Sequence, residues 1–322
     1  MRESAFVKAN ISKWEKFESL ISSKDKKDPD ELAELFIQLT DDLSFARTHY
    51  PKSDVTVYLN NLSTKVHQDI YRNKKQGKNR FIQFWKLELP EIFWLHRKEF
   101  LSAFLFFLAS CIIGGFSAAN DPNFVRLILG DGYVNMTLEN IDKGEPLGVY
   151  GSMAQTDMFF AITFNNIRVS FIAFAFGIAA SIGTVFLLFR NGVMLGSFQY
   201  FFHAKGLLLT SVLTIWIHGT IEITSIVMAG GAGLIMGNSW LFPGTLPRGV
   251  SLRNGALKGA KVVLGLVPLF IIAGFLESFV TRLFGMPNAL KALIIILSLI
   301  SMVYYIIIYP RKLYKNGSLT TN

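Results

Sequence analysis

Six apolar runs, each long enough to cross a bilayer, constrain this chain more than any other feature. A spanning helix needs about 20 mostly apolar residues. Such runs occupy positions 100–119, 161–189, 193–217, 219–237, 260–281 and 289–309. Inside hydrocarbon every backbone polar group must be satisfied within the protein, and for runs of this length the helix is the solution. The fold class is therefore all-α: a polytopic helical membrane protein of about six spans. Gly206 divides the third run, and only His218-Gly219 separates the third from the fourth. The stretch 193–237 is thus either two spans or a re-entrant hairpin of half-helices.

The residues before position 100 are polar and charged. Phe6, Trp14, Phe17, Leu20 and Ile21 fall near a 3.6-residue period. Asp28 reads as an N-cap with Pro29 at the first helical position, and Pro51 ends that helix. A third helix runs through "VTVYLNNLSTKVHQDIYR". This gives a cytoplasmic helical domain over 1–80. An interfacial amphipathic segment follows over 81–99, then a transmembrane domain over 100–310 with a long outer loop at 120–160, and a cytoplasmic tail at 311–322. Arg72, Lys74, Lys75, Lys78 and Arg80 precede Trp85 and Trp94. Basic residues beside indole rings describe a segment anchored on lipid headgroups, so membrane lipids are expected partners. With short or broken spans, such a segment would bend or thin the bilayer.

The net charge of +9 has a simple origin in such a chain, since Lys and Arg collect on the cytoplasmic side. No nucleic-acid partner is needed to explain it. Basic residues flank the first span, the turn at Arg190, the stretch from Arg248 to Lys261 and the C-terminal end, whereas the 120–160 loop is mostly acidic. An even number of spans with both termini cytoplasmic satisfies all of these. The opening residues hold no apolar core of leader length, so no signal peptide is expected. The single cysteine, Cys111, rules out an internal disulfide and any Cys-based metal site.

Ionisable residues inside the spans are few: Arg168, His218, Glu222 and Glu277. Each costs about 2.5 kcal/mol or more at mid-span, so each should face protein or water. The alternating topology brings all four to similar depth toward the outer leaflet, with Asn165 and Asn166 beside them. At 100° per residue His218, Glu222, Ser225, Ala229 and Gly233 share one stripe, with Gly230 and Gly237 nearby. Small residues at that spacing let helices approach closely. Three uses fit these groups: an ion-paired network of Arg168 with Glu222 or Glu277 that fixes helix packing, a proton or cation path, or a metal site. "HGTIE" supplies only two ligands and no other span supplies a histidine, so neither a metal nor any other cofactor is expected. His203 would contribute only if the third run folded back. No phosphate loop, nucleophile elbow or activated cysteine is present, and "GGAG" lies on a span and follows no strand. The chain reads as a non-enzyme.

Several stretches carry a resemblance. "DDLSFARTHYP", "LNNLSTKVHQDIY", "NNIRVSFIAFAFGI", "RNGVMLG", "IHGTIEITSIVMAGGAGL", "PGT" and "GFLESFVTR" resemble the stage II sporulation protein M family, in a longer, non-sporulating, Bacteroidetes-like form with a helical domain in front. The resemblance implies a multi-pass scaffold or assembly protein of the bacterial cytoplasmic (inner) membrane, working with cell-envelope proteins, in some systems beside AAA-type ATPases. It carries over no catalytic residue. A homodimer is expected from small-residue ridges at Ser110-Gly114, Gly177-Ser181 and Ala229-Gly233. A proton- or ion-coupled transporter using the buried cluster is the alternative.

Overall fold

The computed structural model of the chain describes residues 2–22, 29–72, 80–148, 154–283 and 285–317. Every regular element among them is helical, and the chain divides into two compact units, 1–80 and 81–322.

The first unit contains α1 (Glu3–Ser22), α2 (Pro29–His49) and α3 (Asp54–Arg72). Phe6, Trp14 and Phe17 of α1 meet Leu39, Leu43 and Ala46 of α2 and Val55, Leu59 and Leu62 of α3 in one core. The buried Trp14 indole donates to Asp42 at 2.8 Å, and Lys13 neutralises the same carboxylate at 2.5 Å. Pro51 stops α2 as its missing donor dictates. Thr56 Oγ1 then donates to the Tyr50 carbonyl at 2.8 Å, tying the start of α3 to the turn. Asp28 and the basic residues Lys74, Lys75 and Lys78 lie outside the described residues, as do the side chains of Leu20, Ile21 and Arg72.

The second unit opens with α4 (Arg80–Gln83), a π-helical turn (Phe84–Glu88) and α5 (Leu89–Leu95). This is the stretch expected to lie on the membrane surface, and one of its faces is buried in the bundle. Leu89, Ile92 and Phe93 join the core of the long helices, and Trp94 stacks on Tyr314 at 4.7 Å. Tyr305 donates to the Trp85 carbonyl at 2.8 Å, and Lys261 pairs with Glu88 at 2.7 Å.

The long helices are α6 (Arg97–Asn120), α9 (Gln155–Ala175), α10 (Ile182–Ala204), α11 (Leu208–Leu241), α12 (Arg248–Phe275) and α13 (Asn288–Val303), with the short α7 (Phe124–Leu129) and α8 (Asp131–Asp142) between α6 and α9 and α14 (Tyr309–Lys315) at the end. Five stretches are long and apolar enough to cross a membrane: Arg97–Asn120, Gln155–Ile178, Leu208–Leu241, Arg248–Val280 and Asn288–Lys315. The helix boundaries differ from those of the apolar runs. The second run breaks at Ala180-Ser181, both at positive φ, and its second half becomes the start of α10. The third run breaks at Gly206, whose φ of 72° favours glycine. His218-Gly219 is no break at all. Residues 208–241 form one helix of 34 residues, which removes the re-entrant hairpin.

Helix α10 holds Arg190, Asn191, Gln199 and His203 and is not among the five. Its 23 residues still cover about 34 Å. It runs parallel to α6, with Gly192 against Phe107 and Ser110, and Gly196 against Cys111 and Gly115. The same ordering of contacts makes α9 parallel to α11 and α12 antiparallel to it. Up-and-down alternation through all six long helices follows. Within the 120–160 segment the described residues up to 148 are folded rather than free: Val125, Val134 and Leu147 pack on Phe201 and Phe202 at the end of α10.

Helix α11 is the hub, touching α6, α9, α10, α12 and α13. An all-round apolar helix belongs at such a centre. Outward surfaces carry large apolar side chains, among them Phe104, Ile112 and Phe116 on α6 and Leu297 and Ile300 on α13. Glycines lie inside. That inversion suits a bundle whose surroundings are lipid.

Candidate functional site: a polar triad on the central helix

His218 and Glu222 are the eleventh and fifteenth residues of α11, about three and four turns inside it. They do not occupy its first turns, as the break expected at Gly219 implied. Glu277 reaches them from the π-helical turn Leu276–Val280 that closes α12. One ligating atom from each of His218, Glu222 and Glu277 lies within 4.8 Å of the others, and His218 Nε2 is 3.8 Å from Glu277 Oε1. His218 is buried, while the Glu277 side chain keeps 14% of its exposure.

The π-turn decides the chemistry of the histidine. Its wide backbone pattern makes the Leu276 carbonyl accept the Thr281 N–H at 2.8 Å and the Thr281 hydroxyl at 3.1 Å. The Thr281 proton is thereby committed. Its Oγ1, 3.1 Å from His218 Nδ1, is left to accept. This assigns the Nδ1–H tautomer and turns the Nε2 lone pair toward Glu277. Single π-turns recur at functional sites because they re-aim one side chain without ending the helix.

Asn166 of α9, 6% exposed, lies against Glu222 within reach of a weak side-chain hydrogen bond, but its Nδ2 closes none of ordinary geometry. Thr163, Ser170 and Ser278 also bury hydroxyls with no partner. Thr163 and Ser170 share the Asn166 face of α9, and Ser278 adjoins Glu277. Buried polar groups in this condition call for water or an ion.

Not all of the expected cluster assembles. Arg168 and Asn165 are exposed on the outer face of α9, and Arg168 makes no ion pair with either glutamate among the described residues. The reason is angular. Thr163, Asn166 and Ser170 follow the 3.6-residue period of the inward face, and Arg168 sits two residues from both Asn166 and Ser170, which rotates it outward. His203 is exposed beside Tyr200 at the far end of α10.

The packing residues assemble fully. Ala229, Gly230, Gly233 and Gly237 are buried. Gly230 holds Leu188, Gly233 lies under Thr184 and the Ala173 carbonyl, and Gly237 faces Ser181 and the Gly177 carbonyl. Gly114 touches the Val193 backbone in the same way. All three ridges from which a homodimer was expected are occupied within one chain.

Thr281 and Ser278 are the site residues that sequence reasoning missed. The i, i+4 spacing of Glu277 and Thr281 carried a signal, but the π-turn that joins them to His218 has no sequence signature.

The stage II sporulation protein M family pattern matches residues 103–282, more than half of the chain, and spans Asn166, His218, Glu222, Glu277 and Thr281. The chain belongs to that family. A second match, to a domain of unknown function (DUF8413), covers residues 4–72 and with them the three-helix unit. No curated protein and no solved structure shows significant similarity to the chain. As a family member it is a membrane protein, and the triad lies wholly inside the family segment.

Proposed function

We propose that this family member is a non-catalytic scaffold of the bacterial cytoplasmic membrane, with both termini cytoplasmic, that holds cell-envelope partner proteins on a rigid bundle. The close meeting of helices around α11 carries this reading. A methyl added to Gly233 would lie 2.7 Å from the Ala173 carbonyl, and one on Gly259 would lie 2.8 Å from that of Ala232. Seams closed to backbone contact hold α9, α11 and α12 as one body and oppose the rocking that alternating access requires. The orientation rests on charge. Arg97, Lys98, Arg248, Arg253, Lys258, Lys261, Arg311 and Lys312 gather at one end of the alternating bundle. A homodimer would have to use other surfaces than the occupied ridges. The long α11 and α12 exceed the hydrocarbon thickness, so bending or thinning of the bilayer would have to come from the other helices and the basic surface segment.

The convergence of His218, Glu222 and Glu277 favours a second reading, an ion-coupled transporter. Flux of protons, sodium or potassium across vesicles holding the purified protein separates the two. The scaffold reading expects no flux above that of empty vesicles. A flux lost in Glu222→Gln would overturn it.

A further inference from the structure

Two carboxylates face each other in the core of a membrane bundle, and the basic side chain expected to neutralise them points away. We infer that His218, Glu222 and Glu277 form a binding site for one divalent transition-metal ion of zinc type. The inference does not depend on the scaffold reading, since a metal that locks α11 to α12 is compatible with either function.

Four observations carry it. The donor set of one imidazole and two carboxylates is the set that zinc takes in many three-ligand protein sites. The separations fit. Three atoms within 4.8 Å of one another can all be reached from a point no more than about 2.8 Å from each. Small side-chain rotations close that to the ~2.0–2.2 Å of zinc bonds to nitrogen and oxygen.

The hydrogen bonds of Thr281 assign the imidazole to the ligating tautomer. Thr281 holds Nδ1–H, as outer hydrogen-bond partners of metal-bound histidines do, and Nε2 presents its lone pair to the carboxylates. Finally, the buried Asn166 lies against Glu222 with an Nδ2 that closes no hydrogen bond of ordinary geometry, where a water on the fourth metal position would complete its bonding. The two carboxylates keep partial exposure while the histidine does not, which gives an ion a way in from the carboxylate side.

The full-length protein in detergent, stripped with a chelator and desalted, would be titrated with zinc chloride. Bound metal would be measured by mass spectrometry and stability by thermal unfolding. About one zinc per chain and a Tm raised by several degrees are expected, as for any ion that binds the folded state alone. Glu277→Gln and His218→Ala should lose the zinc, while Glu99→Gln, a carboxylate at the other end of the bundle, should keep it. Thr281→Val leaves all three ligands in place, so it tests the site even where a ligand variant fails to fold. It should weaken zinc about 10- to 100-fold, and Thr281→Ser should restore it. Folded wild-type protein that holds no zinc would overturn the inference. So would zinc retained in full by the Glu222→Gln, Glu277→Gln double variant, or stabilisation by sodium or magnesium alone. A Tm that responds to pH and to no metal would assign the pair to a shared proton and overturn it equally.

Discussion

His218 Nδ1 and Thr281 Oγ1 lie 3.1 Å apart, and with the Thr281 proton given to the Leu276 carbonyl the imidazole is assigned as the donor. Helices α11 and α12 are thus joined by a hydrogen bond whose direction is set by a π-turn. Thr281→Val keeps the shape and removes the acceptor, leaving a buried N–H unpaired. The expected cost is about 1–3 kcal/mol, with Thr281→Ser close to wild type. Thermal unfolding in detergent checks this, and an unchanged Tm for Thr281→Val would show that the bond carries nothing.

Glycines in one bundle should respond oppositely to alanine. At Gly177 a methyl would press on the Gly233 backbone, with the Gly233 carbonyl carbon at 2.8 Å. Overpacking of that kind costs about 1–3 kcal/mol, or more where backbone must move. At Gly219 the nearest atom is a flexible Ile223 methyl at 3.6 Å. Gly219→Ala should therefore be neutral, or stabilising by up to about 1 kcal/mol through helix propensity. Paired Tm measurements decide it, and equal losses at both positions would contradict the close-contact seam.

Arg168 should be dispensable for stability. Exposed on α9 and unpaired with Glu222 or Glu277, it can extend its long side chain toward the headgroups. Arg168→Gln is expected to stay within about 0.5 kcal/mol of wild type. A loss of several kcal/mol, relieved by Glu222→Gln in the same chain, would restore the ion pair that the fold separates.

In the three-helix unit, burial first, then the charge and hydrogen bond of Glu18, push the Tyr58 hydroxyl above its usual pKa. The folded state therefore holds that proton more tightly than the unfolded one. The contribution is complete below about pH 10 and is lost as pH rises through the raised value. Tyr58→Phe should flatten the fall in stability between pH 9 and pH 12. Denaturant midpoints measured side by side across that range test it, and parallel curves would refute it.

Much of this molecule was legible in its sequence. Helical spans follow from apolar runs that no other backbone form could carry through lipid. The three-helix unit follows from apolar periodicity and Pro51, and the glycine stripe 229–237 marked the face on which α11 packs. The termini of the helices were less legible. Hydropathy is blind to where a chain turns, so positive φ at Ala180, Ser181 and Gly206 moved two boundaries and merged His218 into the middle of α11.

The site divides along the same line. Sequence alone determined which groups are costly in hydrocarbon and must face something: His218, Glu222, Glu277 and Asn166. Only the tertiary structure decided what they face. Charge complementarity pointed to Arg168, but the angular position of a residue on its helix outranks the attraction of a distant opposite charge, and Arg168 turns outward. The partner that sequence could not supply is Thr281. It reaches His218 through the five-residue backbone spacing of a π-turn, a local geometry that neither hydropathy nor the helical period reveals.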